Sequence, residues 1–246
     1  MGFPVVSMRD SVRVHKALVD SLGVKKLQAT AGASGGAIQA MEWAALYPDF
    51  VDRVVHVIGP GFDISPHVVE MLDVWVLPIR LDPKWAGGNY YGKDEPLDGL
   101  AQALKIVTIT ARNHGWSEKT FGYKWADPAK DPGADMNNLF AIEDALAKAG
   151  AARAKSTDAN SMLYMSKANQ LYNLGDDVKK MKAKILFVPA SSDLIFPPDL
   201  SRRAAERYKA QGGVAEVAVI DGDGGHLDGV LNVAKQGEAI RAFLAK

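Results

Sequence analysis

The spacing of apolar positions changes twice along the chain. Val12, Val19 and Leu22 keep helical spacing behind Asp10 or Ser11, either of which can cap a helix, and Gly23 ends it. Leu27 to Ala31 is a short apolar run that predicts a strand, followed at once by Gly32-Ala33-Ser34-Gly35-Gly36. Ile38, Met41, Trp43, Ala45 and Leu46 then make an almost continuously apolar helix, stopped by Pro48. Arg53 to Ile58 reads as a buried strand, closed by Gly59-Pro60-Gly61. From about Asp63 to Asp177 the pattern is helices and loops, without a convincing strand. A polar loop over Asp127 to Asn138 contains Pro128, Pro132 and Gly133, and helices are predicted over Ala141 to Ala154 and Asn160 to Tyr172. Alternation then resumes: a strand over Ile185 to Pro189, a helix over Pro198 to Ala210, a strand over Val214 to Ile220 and a closing helix over Lys235 to Leu244.

Strands alternating with helices predict an α/β fold, a parallel sheet with helices on both faces. The helical middle interrupts that alternation and reads as an insertion. The expected organisation is a core formed by residues 1–62 and 178–246, with residues 63–177 as a helical lid over the carboxyl ends of the strands. Ligands of open α/β sheets bind at that edge.

Composition narrows the function. Lys+Arg and Asp+Glu are 29 each, so the net charge is zero. This removes the basic footprint of a nucleic-acid binder and any electrostatic reason for an anionic-membrane partner. The chain has no cysteine, which excludes disulfides, thiolate metal sites and a cysteine nucleophile, and fits a reducing compartment. No apolar run reaches the length of a membrane span. Met1 to Val6 lacks the basic and long apolar regions of a signal peptide, and no Ser or Thr stands at position 6 to complete a myristoylation pattern. A soluble, cytoplasmic protein is expected, with neither nucleic acid nor membrane as partner.

Gly32-Ala33-Ser34-Gly35-Gly36 matches G-x-S-x-G, and it lies between an apolar strand and a helix, as a nucleophile elbow requires. A sharp turn there lifts the Ser34 hydroxyl out of the sheet, and small residues at 32 and 36 let strand and helix pass closely. The Gly35 N–H, at the helix start, is positioned to donate to an oxyanion. The alternatives are a plain Gly-rich turn or one that holds a phosphate, although no Lys-Ser/Thr follows it.

A serine nucleophile needs a base. Of His15, His56, His67, His114 and His226, only His226 follows the last strand, in Asp221-Gly222-Asp223-Gly224-Gly225-His226. Asp193, just after the strand at 185–189, is the candidate for the orienting acid, with Asp63 as its rival. Asp221, Asp223 and Asp228 are read as loop or substrate-side residues. Ser34, Asp193 and His226 then follow the chain order nucleophile, acid, base. The expected chemistry is attack of Ser34 on an ester or thioester, an acyl-enzyme, and release of the acyl group to water or an alcohol. No dinucleotide fingerprint or metal-ligand cluster competes, so no cofactor or metal is expected. A second class, a non-catalytic fragment or binding module, stays open.

At this point the sequence resembles the homoserine O-acetyltransferase family of α/β-hydrolases. The resemblance lies in Phe3-Pro4-Val5-Val6-Ser7-Met8-Arg9-Asp10, Asp20-Ser21-Leu22-Gly23-Val24 and the elbow through Gln39-Ala40-Met41-Glu42-Trp43-Ala44. It continues in Asp82-Pro83-Lys84-Trp85 with Gly87-Gly88-Asn89-Tyr90, in Asp158 to Tyr164, and in Ser192 to Pro198 with Gly225-His226. It implies an α/β-hydrolase core with a helical lid, Ser34, Asp193 and His226 as triad, and Tyr164, whose segment resembles the family's, as a substrate-binding residue; Asp228, read above as substrate-side, is the second substrate-binding candidate. It also implies small-molecule acyl donor and acceptor, acetyl-CoA or another acyl-CoA as co-substrate of a transferase, and a homodimer. Three features depart from the family: Gly35 replaces a Met after the nucleophile, Leu227 replaces an Asp after the histidine, and Thr108 to Glu118 does not follow the usual pattern. These point away from homoserine and keep an ester hydrolase of the same fold in view. Family members also carry strands ahead of the Phe-Pro segment. The resemblance therefore implies a fragment, with an open strand edge and a second oxyanion donor outside this chain: a truncated reading frame, one piece of a processed enzyme, or a domain completed by another chain, so that a complementing N-terminal segment stands beside a homodimer as the expected partner.

Overall fold

The computed structural model describes residues 2–246; Met1, part of the stretch read for targeting signals, lies outside them. Four parallel strands, β1 (Thr30–Ala33), β2 (Arg53–Val57), β3 (Lys184–Val188) and β4 (Ala215–Val217), pair in the order β1-β2-β3-β4. Among the described residues β1 is therefore an edge strand. The register sets Gly32 beside His56, and His56 beside Phe187.

The two faces of the sheet are covered separately because side chains alternate along each strand. Val54, Ile185 and Phe187 point into a cluster with Met8 and Val12 of helix α1 (Met8–Ser21), Ile38 and Met41 of α2 (Gly35–Leu46), and Tyr208 of α8 (Pro198–Ala210). Val55, Val57, Leu186 and Val188 point the other way, against Phe243 of the closing helix (Gly237–Ala245).

Between β2 and β3 lie α3 (Pro66–Leu81), α4 (Leu97–Thr110), α5 (His114–Thr120), α6 (Ala141–Ala154) and α7 (Ala159–Gln170), with no named strand. Val76, Ile79, Tyr90, Leu100, Leu104 and Leu163 bury one another in a core of their own. A smaller cluster joins this layer to the sheet: Val68, Leu72 and Ala111 pack on Ile195 and Phe196, which follow β3.

Several boundaries differ from the sequence expectation. Helix α1 starts at Met8, capped by Ser7, because the Asp10 carboxylate reaches back to the Ser7 N–H at 2.9 Å and so forms a capping box. The first strand starts at Thr30 and not Leu27, which makes only an isolated bridge to Val51. The last strand ends at Val217, and Ile220 returns to the sheet as a single bridge to Ala190. The closing helix is preceded by a separate turn over Val233–Gln236.

Candidate active site

The site assembles at the carboxyl ends of the strands. β1 hands over to α2 at Ser34, whose φ of 56° and ψ of −120° are strained for a residue with a side chain. The turn is held on both sides. The Ser34 N–H donates to the Val57 carbonyl at 3.0 Å, and the Ser34 carbonyl accepts from the Ala37 and Ile38 N–H groups. Gly32 is what permits so tight a passage, since a Cβ there would lie 2.2 Å from the Gly36 carbonyl oxygen. Gly36 itself faces open space, so the close approach expected of both glycines is made by Gly32 alone. The Gly35 N–H lies in the first turn of α2, where helix geometry supplies no backbone acceptor.

Asp193 lies beyond β3 and is 2% exposed. Its Oδ1 accepts from the backbone N–H groups of Ile195 at 2.8 Å and Phe196 at 3.0 Å. These bonds fix the carboxylate and leave Oδ2 for the His226 Nδ1 at 2.7 Å. A carboxylate only accepts, so Nδ1 carries the hydrogen and Nε2 is the free acceptor of a neutral ring. That Nε2 stands 2.9 Å from the Ser34 Oγ.

His226 sits in a short helical turn, Gly225–Leu227. Gly225 adopts φ 72°, and a Cβ there would meet the backbone of Ala111, Arg112 and Asn113 at 2.8 Å. Its N–H donates to the Ser192 Oγ at 3.0 Å, and the Phe196 ring stands edge-on to the imidazole. The end of α4, the loop after β3 and the turn of His226 thus hold one another.

The other sequence candidates are more scattered. Asp228 is buried, and its carboxylate accepts from the Gly224 N–H at 2.9 Å and the Asn232 Nδ2 at 2.6 Å. Tyr164 lies on α7, donates to the Phe3 carbonyl at 2.6 Å and stacks edge-on against Phe3. With Phe3, Tyr91, Asp158 and Met165 it lines an open cavity of about 530 Å³. Asp63, the rival acid, is exposed and pairs with Arg207 at 3.3 Å. Leu227 packs beside Ala111, Ile195 and Phe196.

Two contributors carried no sequence signal. Ile58 has φ 43°, which is rare for a β-branched residue, and a Cβ on Gly229 would lie 2.3 Å from its side chain. It packs against the helical turn, Asp228–Leu231, that follows His226. Asn113 donates from its side chain to the Ser192 carbonyl at 3.2 Å, tying the helical layer to the loop of Asp193. His56 is present near the elbow but plays a different part: it is fully buried in β2, neither ring nitrogen has a partner, and burial pushes its pKa down to about 3.

The sequence signature of the alpha/beta hydrolase fold matches residues 2–232. The chain belongs to the α/β-hydrolase family. Within it, this α/β-hydrolase is similar to the homoserine O-acetyltransferase of Symbiobacterium thermophilum, at 35% identity over 99% of this chain and 65% of that protein. The crystal structure of homoserine O-acetyltransferase from Bacillus anthracis superposes with a TM-score of 0.92 at 28% identity, covering 99% of this chain and 66% of the other. Esterase E22 superposes equally well, with a TM-score of 0.92 at 39% identity, covering 98% of this chain and 67% of that one. The chain spans about half to two thirds of the length of the curated relatives it matches. Among the described residues no group of three or more His, Asp or Glu side chains is placed to hold a metal ion, and no helix is long and apolar enough to cross a membrane.

Proposed function

We propose that this α/β-hydrolase is a serine acyl-transfer enzyme with Ser34 as nucleophile, His226 as general base and acid, and Asp193 as the group that orients the imidazole. The observation that carries the reading is the relay of two short hydrogen bonds, Asp193 to His226 at 2.7 Å and His226 to Ser34 at 2.9 Å. As Ser34 Oγ attacks an ester or thioester carbonyl, its proton passes to His226 Nε2. The Gly35 N–H donates to the oxygen that gains charge. The bond to the leaving alcohol or thiol breaks, and that group takes the proton from His226, leaving the acyl group on Ser34. An incoming O–H then gives its proton to His226 and attacks the acyl carbon, and Ser34 leaves with the proton. Residues 63–177 act as a lid over this centre, and Tyr164 lies on the substrate side of it.

The incoming O–H belongs to a small alcohol or to water. Transfer rests on the likeness to homoserine O-acetyltransferases, with acetyl-CoA or another acyl-CoA as the acyl donor. Hydrolysis rests on Leu227, which stands in an apolar cluster where the family resemblance leads one to expect Asp, and on the 39% identity to an esterase. Thiol release from acetyl-CoA that depends on added homoserine supports transfer, and release in water alone supports hydrolysis.

The triad is tested by incubating the protein with a fluorophosphonate and mapping the adduct by mass. The expected result is one adduct on Ser34 that His226→Ala abolishes. A folded sample with no adduct overturns the reading.

A further inference from the structure

The residue after the nucleophile is Gly35, so the space that a side chain would fill beside the elbow is left empty. Two groups border that space. An ideal Cβ on Gly35 would lie 3.5 Å from the Met8 Cε and 3.5 Å from the Asn169 Oδ1. Met8 is an inert wall, buried in the core and touched by the Gln39 Nε2 at 3.7 Å. Asn169 is the polar group.

The orientation of the Asn169 amide is fixed by its own helix. Its Nδ2 donates to the Met165 carbonyl at 2.8 Å, one turn back along α7. The Oδ1 is the nearer of the two amide atoms to the elbow, at 3.5 Å from that Cβ position against 3.9 Å for the Nδ2. No donor from the described residues meets it. The helix end that carries Asn169 is fastened to its surroundings on both sides. Gln170 Nε2 donates to the Val69 carbonyl at 2.8 Å, and Tyr172 Oη donates to the Gly61 carbonyl at 2.8 Å. A polar atom on so rigid a support is pre-organised for one partner.

We infer that Asn169 sets substrate specificity: its side-chain carbonyl accepts a hydrogen bond from an O–H or N–H group on the α-carbon of the acyl part, so that the site selects 2-hydroxyacyl or 2-aminoacyl esters. This rests on the reading of Ser34 as nucleophile and Gly35 as oxyanion donor. With the acyl carbonyl oxygen on the Gly35 N–H, a substituent on the neighbouring carbon, on the same side as that oxygen, enters the space beside Gly35. A plain alkyl acyl group that fills this space offers Oδ1 no donor, which is how polar sites reject analogues that lack the matching group.

The test compares methyl glycolate with methyl acetate. In turnover followed by pH-stat, Asn169→Leu lowers the glycolate-to-acetate ratio of kcat/KM by about tenfold, the value of one net hydrogen bond. Asn169→Asp keeps an acceptor oxygen and keeps the ratio. Taking the ratio cancels the intrinsic reactivity of the two esters and any general loss of activity. A second arm needs no catalysis: in Ser34→Ala protein, ligand-observed NMR titration shows methyl glycolate binding more tightly than methyl acetate, and adding Asn169→Leu removes the difference. Equal ratios in all three active proteins, or no preference in the binding arm, overturn the inference. If no ester is turned over but the binding preference is present, the proposed serine chemistry fails and the role of Asn169 stands.

Discussion

Two histidines lie inside this molecule, and they live under opposite rules. His56 is in the middle of β2, with Gly32 on one side, Phe187 on the other and α2 above. Its ring stands edge-on to Phe187 at 5.1 Å and presses so closely on Gly59 that a Cβ there would lie 2.4 Å from it. Neither nitrogen has a partner, so the ring is kept neutral as apolar bulk. His226 is also buried, at 6% exposure, but both of its nitrogens are engaged. The difference is position along the strand direction. In a strand interior the backbone groups are spent on the ladder, and a side chain finds only other side chains. Beyond the strand ends, loops bring carboxylates, hydroxyls and free N–H groups to one place.

Three experiments break or sharpen this contrast. The largest effect is expected from Asp193→Asn. It keeps the shape of the site but lets an amide face the imidazole, and so favours the wrong tautomer; kcat/KM for ester turnover falls about 10⁴-fold. His56→Leu changes kcat/KM by no more than a few-fold in the same assay, and a loss comparable to that of Asp193→Asn would dissolve the distinction.

The second effect is structural. Gly32, the β1 neighbour of His56, passes so near Gly36 that Gly32→Ala must displace backbone. A loss of about 3 kcal/mol or more is expected by urea unfolding. Gly36→Ala, which meets nothing within 4 Å, is expected to change stability by no more than about 1 kcal/mol, as at an ordinary helix position. Equal costs at the two sites would contradict the geometry of the elbow.

The smallest effect is on acid stability. Burial holds the pKa of His56 in the folded state near 3, below its ordinary 6.5. Below pH 6.5 the unfolded chain therefore takes up a proton that the native protein refuses until about pH 3. Across that window stability falls with falling pH, by roughly 1 kcal/mol per pH unit from this group. In His56→Leu the urea midpoint falls less between pH 7 and pH 5 than it does in the natural protein. Parallel curves would show that His56 does not stay neutral in the fold.

Much of this molecule was legible in the residues. Strand and helix periods separated the sheet from the helical layer, and α6 and α8 begin and end where the apolar spacing and Pro198 place them. Ser34, Asp193 and His226 each follow a predicted strand, and a parallel sheet delivers all its strand ends to one edge. Boundaries set by side-chain chemistry were harder to read. The start of α1 depends on the Asp10 carboxylate turning back to Ser7, and nothing in apolar spacing reports that bond.

What the sequence determined by itself was the order of elements, the neutral cysteine-free composition and the residues standing at strand ends, because these follow from local period and from residue type. Only the tertiary structure decided which of them meet. It placed Asn169 beside Gly35 and Ile58 under Gly229. It turned Asp63 away to Arg207. Those choices depend on contacts between segments far apart in the chain, where packing and hydrogen-bond geometry select one arrangement from many that the same local pattern permits.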